Sequence, residues 1–184
     1  MNVTSLAIPD VRLFEPKVFT DERGFFYESY NQQQFEQHIR ADNPFVQDNH
    51  VHSNQGVLRG LHYQVAPMAQ GKLIRVIYGT VFDVVVDLRQ QSEFFGRWLG
   101  IVLSAEQHQQ LWIPAGFAHG YYTLSERSEC LYKTTNYYTP SAERSIAWDD
   151  PQLAIDWPLL AQQSPILSVK DRCAEAFVNA DYFV

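Results

Sequence analysis

Residues 72–88 read Lys72-Leu-Ile-Arg-Val-Ile-Tyr78, then Gly79-Thr80, then Val81-Phe-Asp-Val-Val-Val-Asp-Leu88. Nearly every residue of the second run is β-branched or aromatic, the composition of a strand buried in a sheet. Two such runs around a glycine-containing dipeptide predict a hairpin. The pattern repeats in both directions. Upstream, Leu13–Phe19 and Phe25–Tyr30 flank Thr20-Asp-Glu-Arg-Gly24, a second expected hairpin. Downstream, Trp98–Leu103, Gln110–Ile113, Tyr121–Leu124 and Cys130–Thr135 supply further strands. Short strands at this spacing predict an all-β sandwich or barrel, for which a jelly roll is the natural form. Asn31 is placed to cap a short helix running to Arg40, and the stretch from Lys170 to about Asn179 predicts a second one. No repeat, low-complexity tract or linker interrupts the chain, so residues 1–184 read as one domain.

Composition narrows the function. Apolar residues make up 46% and charged residues 19%, values that argue against disorder. Aromatics reach 14%, with twelve Phe, ten Tyr and four Trp, which suits pleated surfaces and leaves rings to stack on a ligand. A formal net charge of −7 argues against a nucleic-acid or anionic-membrane partner, though a local pair of cations can still hold a phosphorylated small molecule. Cys130 and Cys173 are the two cysteines, a poor disulfide framework. The first ten residues have no basic start and no apolar run, so no signal peptide is expected, and no apolar run approaches the ~20 residues that span a bilayer. A cytoplasmic protein is the expectation.

Four segments hold candidate chemistry. In Gly56-Val-Leu-Arg-Gly-Leu-His-Tyr-Gln64, strand alternation would separate Arg59 from His62, so a bulge at Gly60 is needed to bring both into one pocket. A lone strand histidine is more often structural than catalytic. Pro114-Ala-Gly-Phe-Ala-His119-Gly120 resembles the second motif of the cupin superfamily, where the histidine is often a metal ligand. The stretch corresponding to the first cupin motif, His62-Tyr63-Gln64, has one histidine and no following Glu. His50 and His52 form a His-x-His pair that could chelate zinc or iron, but a third ligand is not evident, so no metal is expected. In Leu131-Tyr-Lys-Thr-Thr-Asn-Tyr-Tyr138, the last two rings are either packing residues or a stacking platform for a base. In Leu167-Ser-Val-Lys-Asp171, Lys170 and Asp171 read as solvated charges near a helix start.

Taken together these strings resemble one family, the dTDP-4-dehydrorhamnose 3,5-epimerases. The matching stretches are Phe14-Glu-Pro-Lys-Val-Phe19, Asp21-Glu-Arg-Gly-Phe-Phe-Tyr-Glu-Ser-Tyr-Asn31, Phe45-Val-Gln-Asp-Asn-His50, Val57-Leu-Arg-Gly-Leu-His-Tyr-Gln64, Gln70-Gly-Lys-Leu73, Val81-Phe-Asp-Val84, Leu111-Trp-Ile-Pro-Ala-Gly-Phe-Ala-His-Gly120, Leu131-Tyr-Lys133 and Trp148-Asp-Asp-Pro151. They run in family order from near the N-terminus, and the resemblance extends to about Asp171. Glu93-Phe94, where the family usually has Pro-Thr, and His52 beside Asn49-His50 are the departures.

The resemblance implies a cupin-like jelly roll that needs no cofactor and epimerises C3 and C5 of dTDP-4-dehydro-6-deoxy-D-glucose. It implies His62 as base, Asp171 as the partner that orients it, Tyr132 as acid on the opposite face and Lys72 as the cation near the enolate oxygen. Arg59 resembles the pyrophosphate ligand, and Tyr138 the ring that stacks on thymine. Arg23, Glu28, Gln47, Asn49, His119, Glu143 and Lys170 resemble further substrate contacts, with Phe19 and Phe26 as an apolar wall. The family is dimeric, with N-terminal strands lying against the partner, so Arg23 and Glu28 are expected to serve the neighbour's site. Three other readings compete: a mono-epimerase acting at C3 or C5 alone, a non-catalytic sugar-nucleotide-binding cupin, and a metal-dependent cupin enzyme.

Overall fold

A computed structural model of the chain describes residues 1–39, 44–161 and 163–184. Its strands are β1 (Asn2–Ser5), β2 (Arg12–Glu15), β3 (Phe19–Asp21), β4 (Gly24–Phe26), β5 (Gln47–Asn54), β6 (Leu58–Gln64), β7 (Lys72–Tyr78), β8 (Thr80–Asp87), β9 (Trp98–Ser104), β10 (Gln110–Ile113), β11 (Phe117–Thr123), β12 (Arg127–Thr134) and β13 (Glu143–Ser145). Two short helices join them, α1 (Gln32–His38) and α2 (Val169–Arg172). One sheet has the order β1-β2-β10-β7-β12-β5 and the other β13-β6-β11-β8-β9, while β3 and β4 pair only with each other. This is the expected jelly roll. From β5 onward nearly every connection crosses from one sheet to the other.

The hairpin predicted around Gly79-Thr80 does not form. β7 pairs with β10 and β12, whereas β8 pairs with β9 and β11 in the facing sheet. Gly79 does turn the chain, with φ +74°, but the turn carries it from one sheet to the other instead of folding it back. The nearly unbroken apolar run of β8 has its reason in double burial. Val81 and Val85 face the core between the sheets, with Ile74, Val76, Leu103, Leu111 and Phe117. Val84, Val86 and Leu88 face outward beneath the C-terminal segment, with Leu58, Leu61, Tyr122, Ile146 and Trp157.

Other boundaries move for local reasons. The predicted strand Leu13–Phe19 splits into β2 and β3 around Pro16, which has no N–H to give a ladder. The hairpin at Thr20–Gly24 does form, as β3–β4. Asn31 caps α1, its side chain accepting from the Gln34 N–H at 3.1 Å, and Ile39 ends the helix; Arg40 lies outside the described residues. The predicted helix 170–179 is one turn, α2, followed by a bridge from Glu175 to Ile146 and a 3₁₀ turn at Phe177–Asn179. No helix among the described residues is long and apolar enough to cross a membrane.

Candidate active site

Arg59 and His62 reach one cavity because β6 is bulged. His119 pairs with His62 and Tyr121 with Arg59, so three residue steps on β6 match two on β11. Gly60 absorbs the extra residue at φ +133°, and a Cβ there would stand 2.4 Å from the Cα of Gly120. Only glycine permits both that dihedral and that approach. The expected bulge is therefore present. Leu58, Leu61 and Tyr63 turn to the outer core, and Arg59, His62 and Gln64 turn inward.

The cavity, about 280 Å³, lies between the sheets. β6 and β11 line it with Arg59, His62 and His119, and the opposite sheet with Lys72 and Tyr132. Tyr138, Glu143 and Lys170 stand at its rim. Alternation explains the selection: on β12, Cys130 and Tyr132 point inward while Leu131 and Lys133 point out.

His62 Nε2 lies 2.5 Å from Asp171 Oδ1, to which it donates, leaving the other ring nitrogen free to take a proton. Asp171 is buried, and its second oxygen accepts from the Ser168 hydroxyl at 2.7 Å. Ser168 caps α2 by accepting from the Asp171 N–H, so one serine fixes both backbone and carboxylate. Burial would raise the Asp171 carboxyl, but its bonds to His62 and Ser168 hold it below the usual range. Burial lowers the His62 imidazole below its ordinary value. The Asp171 bond opposes this without cancelling it, and the charges of Lys170 and Lys72 add to the lowering.

Burial also brings Lys72 down to about 8, against the raising influence of Asp83 and Glu143. Its ammonium donates to the His62 carbonyl at 3.3 Å. Burial raises the Tyr132 phenol, with the Arg59 charge in opposition, so Tyr132 keeps its proton at neutral pH. Glu143 would be raised by burial, but Lys170 at 2.7 Å and the Tyr138 hydroxyl at 2.9 Å hold it low. The site thus sets an imidazole on one sheet opposite a protonated phenol on the other, with cations at the floor and rim.

The sequence signature of the dTDP-4-dehydrorhamnose 3,5-epimerases matches residues 5–179. The chain belongs to that family. A dTDP-4-dehydrorhamnose 3,5-epimerase of Pseudomonas aeruginosa is 60% identical over 183 residues, covering 100% of this chain and 99% of that protein. The crystal structure of the Legionella pneumophila 3,5-epimerase in complex with dTDP-4-keto-L-rhamnose superposes with a TM-score of 0.93 at 49% identity, covering 98% of this chain and 94% of that one. A 3'-monoepimerase of Streptomyces bikiniensis, solved with dTDP-quinovose, gives 0.87 at 33% identity, covering 94% and 86%. The chain is thus an epimerase by family, with a cupin-like fold.

The epimerase cavity gathers eight of the candidate residues directly: Arg59, His62, Lys72, His119, Tyr132, Tyr138, Glu143 and Lys170. Asp171 joins through His62. Gln47 and Asn49 lie beside the rim, Gln47 accepting from the Tyr138 N–H at 3.0 Å and donating to Asn49 at 2.9 Å. Phe19, Arg23 and Phe26 do not join them. They line a separate depression on the β3–β4 hairpin, where Arg23 is tied to Asp21. Glu28 bonds Asn31 and Gln34 at the start of α1. Tyr137 and Tyr138 are not core residues: both lie beyond β12, 60% and 52% exposed. His50 and His52 point to the outer face of β5, where His50 meets Glu129 at 3.0 Å. Among the described residues no group of three His, Cys, Asp or Glu side chains is placed to hold a metal.

Sequence reasoning missed three supporting residues. Ser168 holds Asp171, and the Ser-x-x-Asp spacing was its signal. Gln64 ties down the rim loop, donating to the Met68 and Tyr137 carbonyls and accepting from the Thr139 N–H. Asp83, an acid in an apolar strand, bonds His119.

Proposed function

We propose that this epimerase carries out its reaction with His62 as the base and Tyr132 as the acid, inverting C3 and C5 of dTDP-4-dehydro-6-deoxy-D-glucose to give dTDP-4-dehydro-L-rhamnose in dTDP-rhamnose biosynthesis. The observation that carries this reading is the opposition of His62 on one sheet to Tyr132 on the other, across one cavity. A sugar ring lying between them offers one face to each.

The C–H bonds beside the C4 ketone are acidic only because the ketone oxygen can take the charge. His62 removes the proton, its imidazolium held by Asp171. Lys72 sets a positive charge by the developing enolate oxygen, where a preorganised cation in a water-poor site acts most strongly. Tyr132 returns a proton to the opposite face, which inverts the carbon. Both groups then re-equilibrate with solvent before the second carbon reacts. Arg59 meets the pyrophosphate, for which a forked guanidinium is suited, and Tyr138 stacks on the thymine. His119, Glu143 and Lys170 make further substrate contacts, while Gln47 and Asn49 reach the nucleotide and sugar. The reading includes one domain over residues 1–184, a cytoplasmic homodimer, and a β3–β4 hairpin offering Phe19, Arg23, Phe26 and Glu28 to the partner's site.

Turnover of dTDP-4-keto-6-deoxyglucose in D₂O tests it, with deuterons counted at each carbon. Two incorporated deuterons with inversion at both carbons are expected. One deuteron would place this chain with the monoepimerases, and none would leave a binding protein.

A further inference from the structure

The cavity holds a second histidine–carboxylate pair, and the reaction scheme leaves its carboxylate without a task. His119 and His62 are cross-strand partners on β11 and β6, and each is bonded to an aspartate. The two pairs are built differently. Asp171 sits on a helical turn and divides its bonds between His62 and Ser168. Asp83 lies on β8 at 0% exposure, amid the valines of that strand, and both its oxygens are 3.0 Å from His119 Nε2. No other side chain among the described residues bonds it. A carboxylate buried this deeply needs cations nearby, and removing its charge must be felt by whatever faces it. After burial itself, Asp83 is the strongest influence on the Lys72 ammonium, ahead of Glu143 and Lys170.

We propose that Asp83 is a positioning residue for the epimerisation: from beneath the cavity it fixes the His119 ring with Nε2–H turned to its carboxylate and keeps Lys72 an ammonium for the enolate oxygen. The proposal rests on the reading of Lys72 given above. Its physical core is a balance of charges at one amine. Burial brings Lys72 down to about 8, and the buried charge of Asp83 opposes that lowering from beneath the cavity. The groups acting on it are Asp83 from β8, Glu143 from β13 and Lys170 from α2, with the His62 carbonyl accepting from it. Glu143 is already engaged by Lys170 and Tyr138, which leaves Asp83 as the anion with charge to spare.

Asp83→Asn keeps the shape and removes the charge. The alkaline limb of kcat/KM, set by Lys72, should move to lower pH by about one unit or more. At pH 7 turnover should fall only about twofold, the loss of protonated Lys72 that a one-unit drop from about 8 gives, and at pH 9 about ninefold. Lys72→Met is measured alongside and should be poorly active at every pH. If Asp83→Asn does not fold, Asp83→Ser removes the charge without adding bulk to the core and reads the same limb. An unmoved limb in a folded Asp83 variant, whether kcat is kept or lost at all pH values, overturns the proposal while an inactive Lys72→Met leaves the mechanism standing. Wild-type turnover by Lys72→Met would instead overturn the mechanism beneath it.

Discussion

The cavity between the sheets and the β3–β4 hairpin were read from equally strong motifs, yet they reach the structure in opposite conditions. In the cavity most candidate side chains are braced: His62 by Asp171, Asp171 by Ser168, the Tyr138 loop by Gln64 and Gln47. On the hairpin, Phe19, Phe25 and Phe26 are 53%, 62% and 67% exposed, and among the described residues the Arg23 side chain bonds only Asp21. Three largely exposed aromatic rings on an eight-residue excursion, 19–26, form an apolar patch of the kind that marks interaction surfaces. The contrast separates chemistry from binding. The groups proposed to transfer protons all come from one chain, while part of the expected nucleotide grip is carried where this chain's own cavity does not reach.

The largest effect should come from breaking the cavity's core. His62→Ala should lower turnover by about 10⁴-fold, the upper range for a positioned base, and abolish deuterium exchange at both C3 and C5. Tyr132→Phe removes only the acid, so exchange with retention should persist at one or both carbons while inversion fails. Full epimerisation by Tyr132→Phe would show that water or another group is the donor.

Next in size is the backbone that aims these groups. Gly60 and Gly24 both have positive φ, +133° and +122°, but a Cβ at Gly60 meets Gly120 at 2.4 Å and one at Gly24 meets nothing within 4 Å. Gly60→Ala should therefore cost on the order of 3 kcal/mol of stability, through strain plus a backbone clash, and Gly24→Ala only about 1 kcal/mol. Equal melting points for the two variants would mean that the bulge relaxes freely and is not what holds Arg59 and His62 in register.

The third effect is a shift in pH. With His62 as the proposed neutral base, activity should fall as pH drops through its pKa, and burial sets that acid limb below the ordinary 6.5. The Asp171 bond favours the imidazolium. Asp171→Asn removes that support, so the acid limb should move further down and kcat should fall roughly 10- to 100-fold, because the base is weaker and less well oriented. A limb that rises in Asp171→Asn would contradict this balance.

Much of this was legible in the sequence. Strand composition marks β7 to β12, Asn31 is legible as a helix cap, and strand alternation alone demands the bulge at Gly60. What failed was long-range. Gly79 marks a turn, but whether the chain folds back or crosses to the other sheet depends on partners such as β10 and β12, which no local signal encodes. The His119–Asp83 pair spans 36 residues and His62–Asp171 spans 109, so spacing alone could suggest neither. Family resemblance supplied Asp171 and stopped short of Ser168 and Asp83, which support the site from behind it.

The smallest effect bears on the hairpin directly. If the hairpin serves the partner, each site combines His62 of one chain with Arg23 of the other. Arg23→Ala alone should weaken dTDP binding at both sites, and His62→Ala alone should stop chemistry at both. After the two variants are unfolded together in equal amounts and refolded, random assortment makes about half the dimers mixed, and in each mixed two-fold dimer one site collects both lesions and the other has none. About a quarter of all sites should then regain full function. If Arg23 serves its own chain's cavity, every site carries one lesion and mixing restores nothing. The readout is turnover at sub-saturating substrate, with each variant refolded separately as its control. Confirmed mixed dimers without recovery would place Arg23 with its own cavity and leave the exposed rings of the hairpin without this explanation.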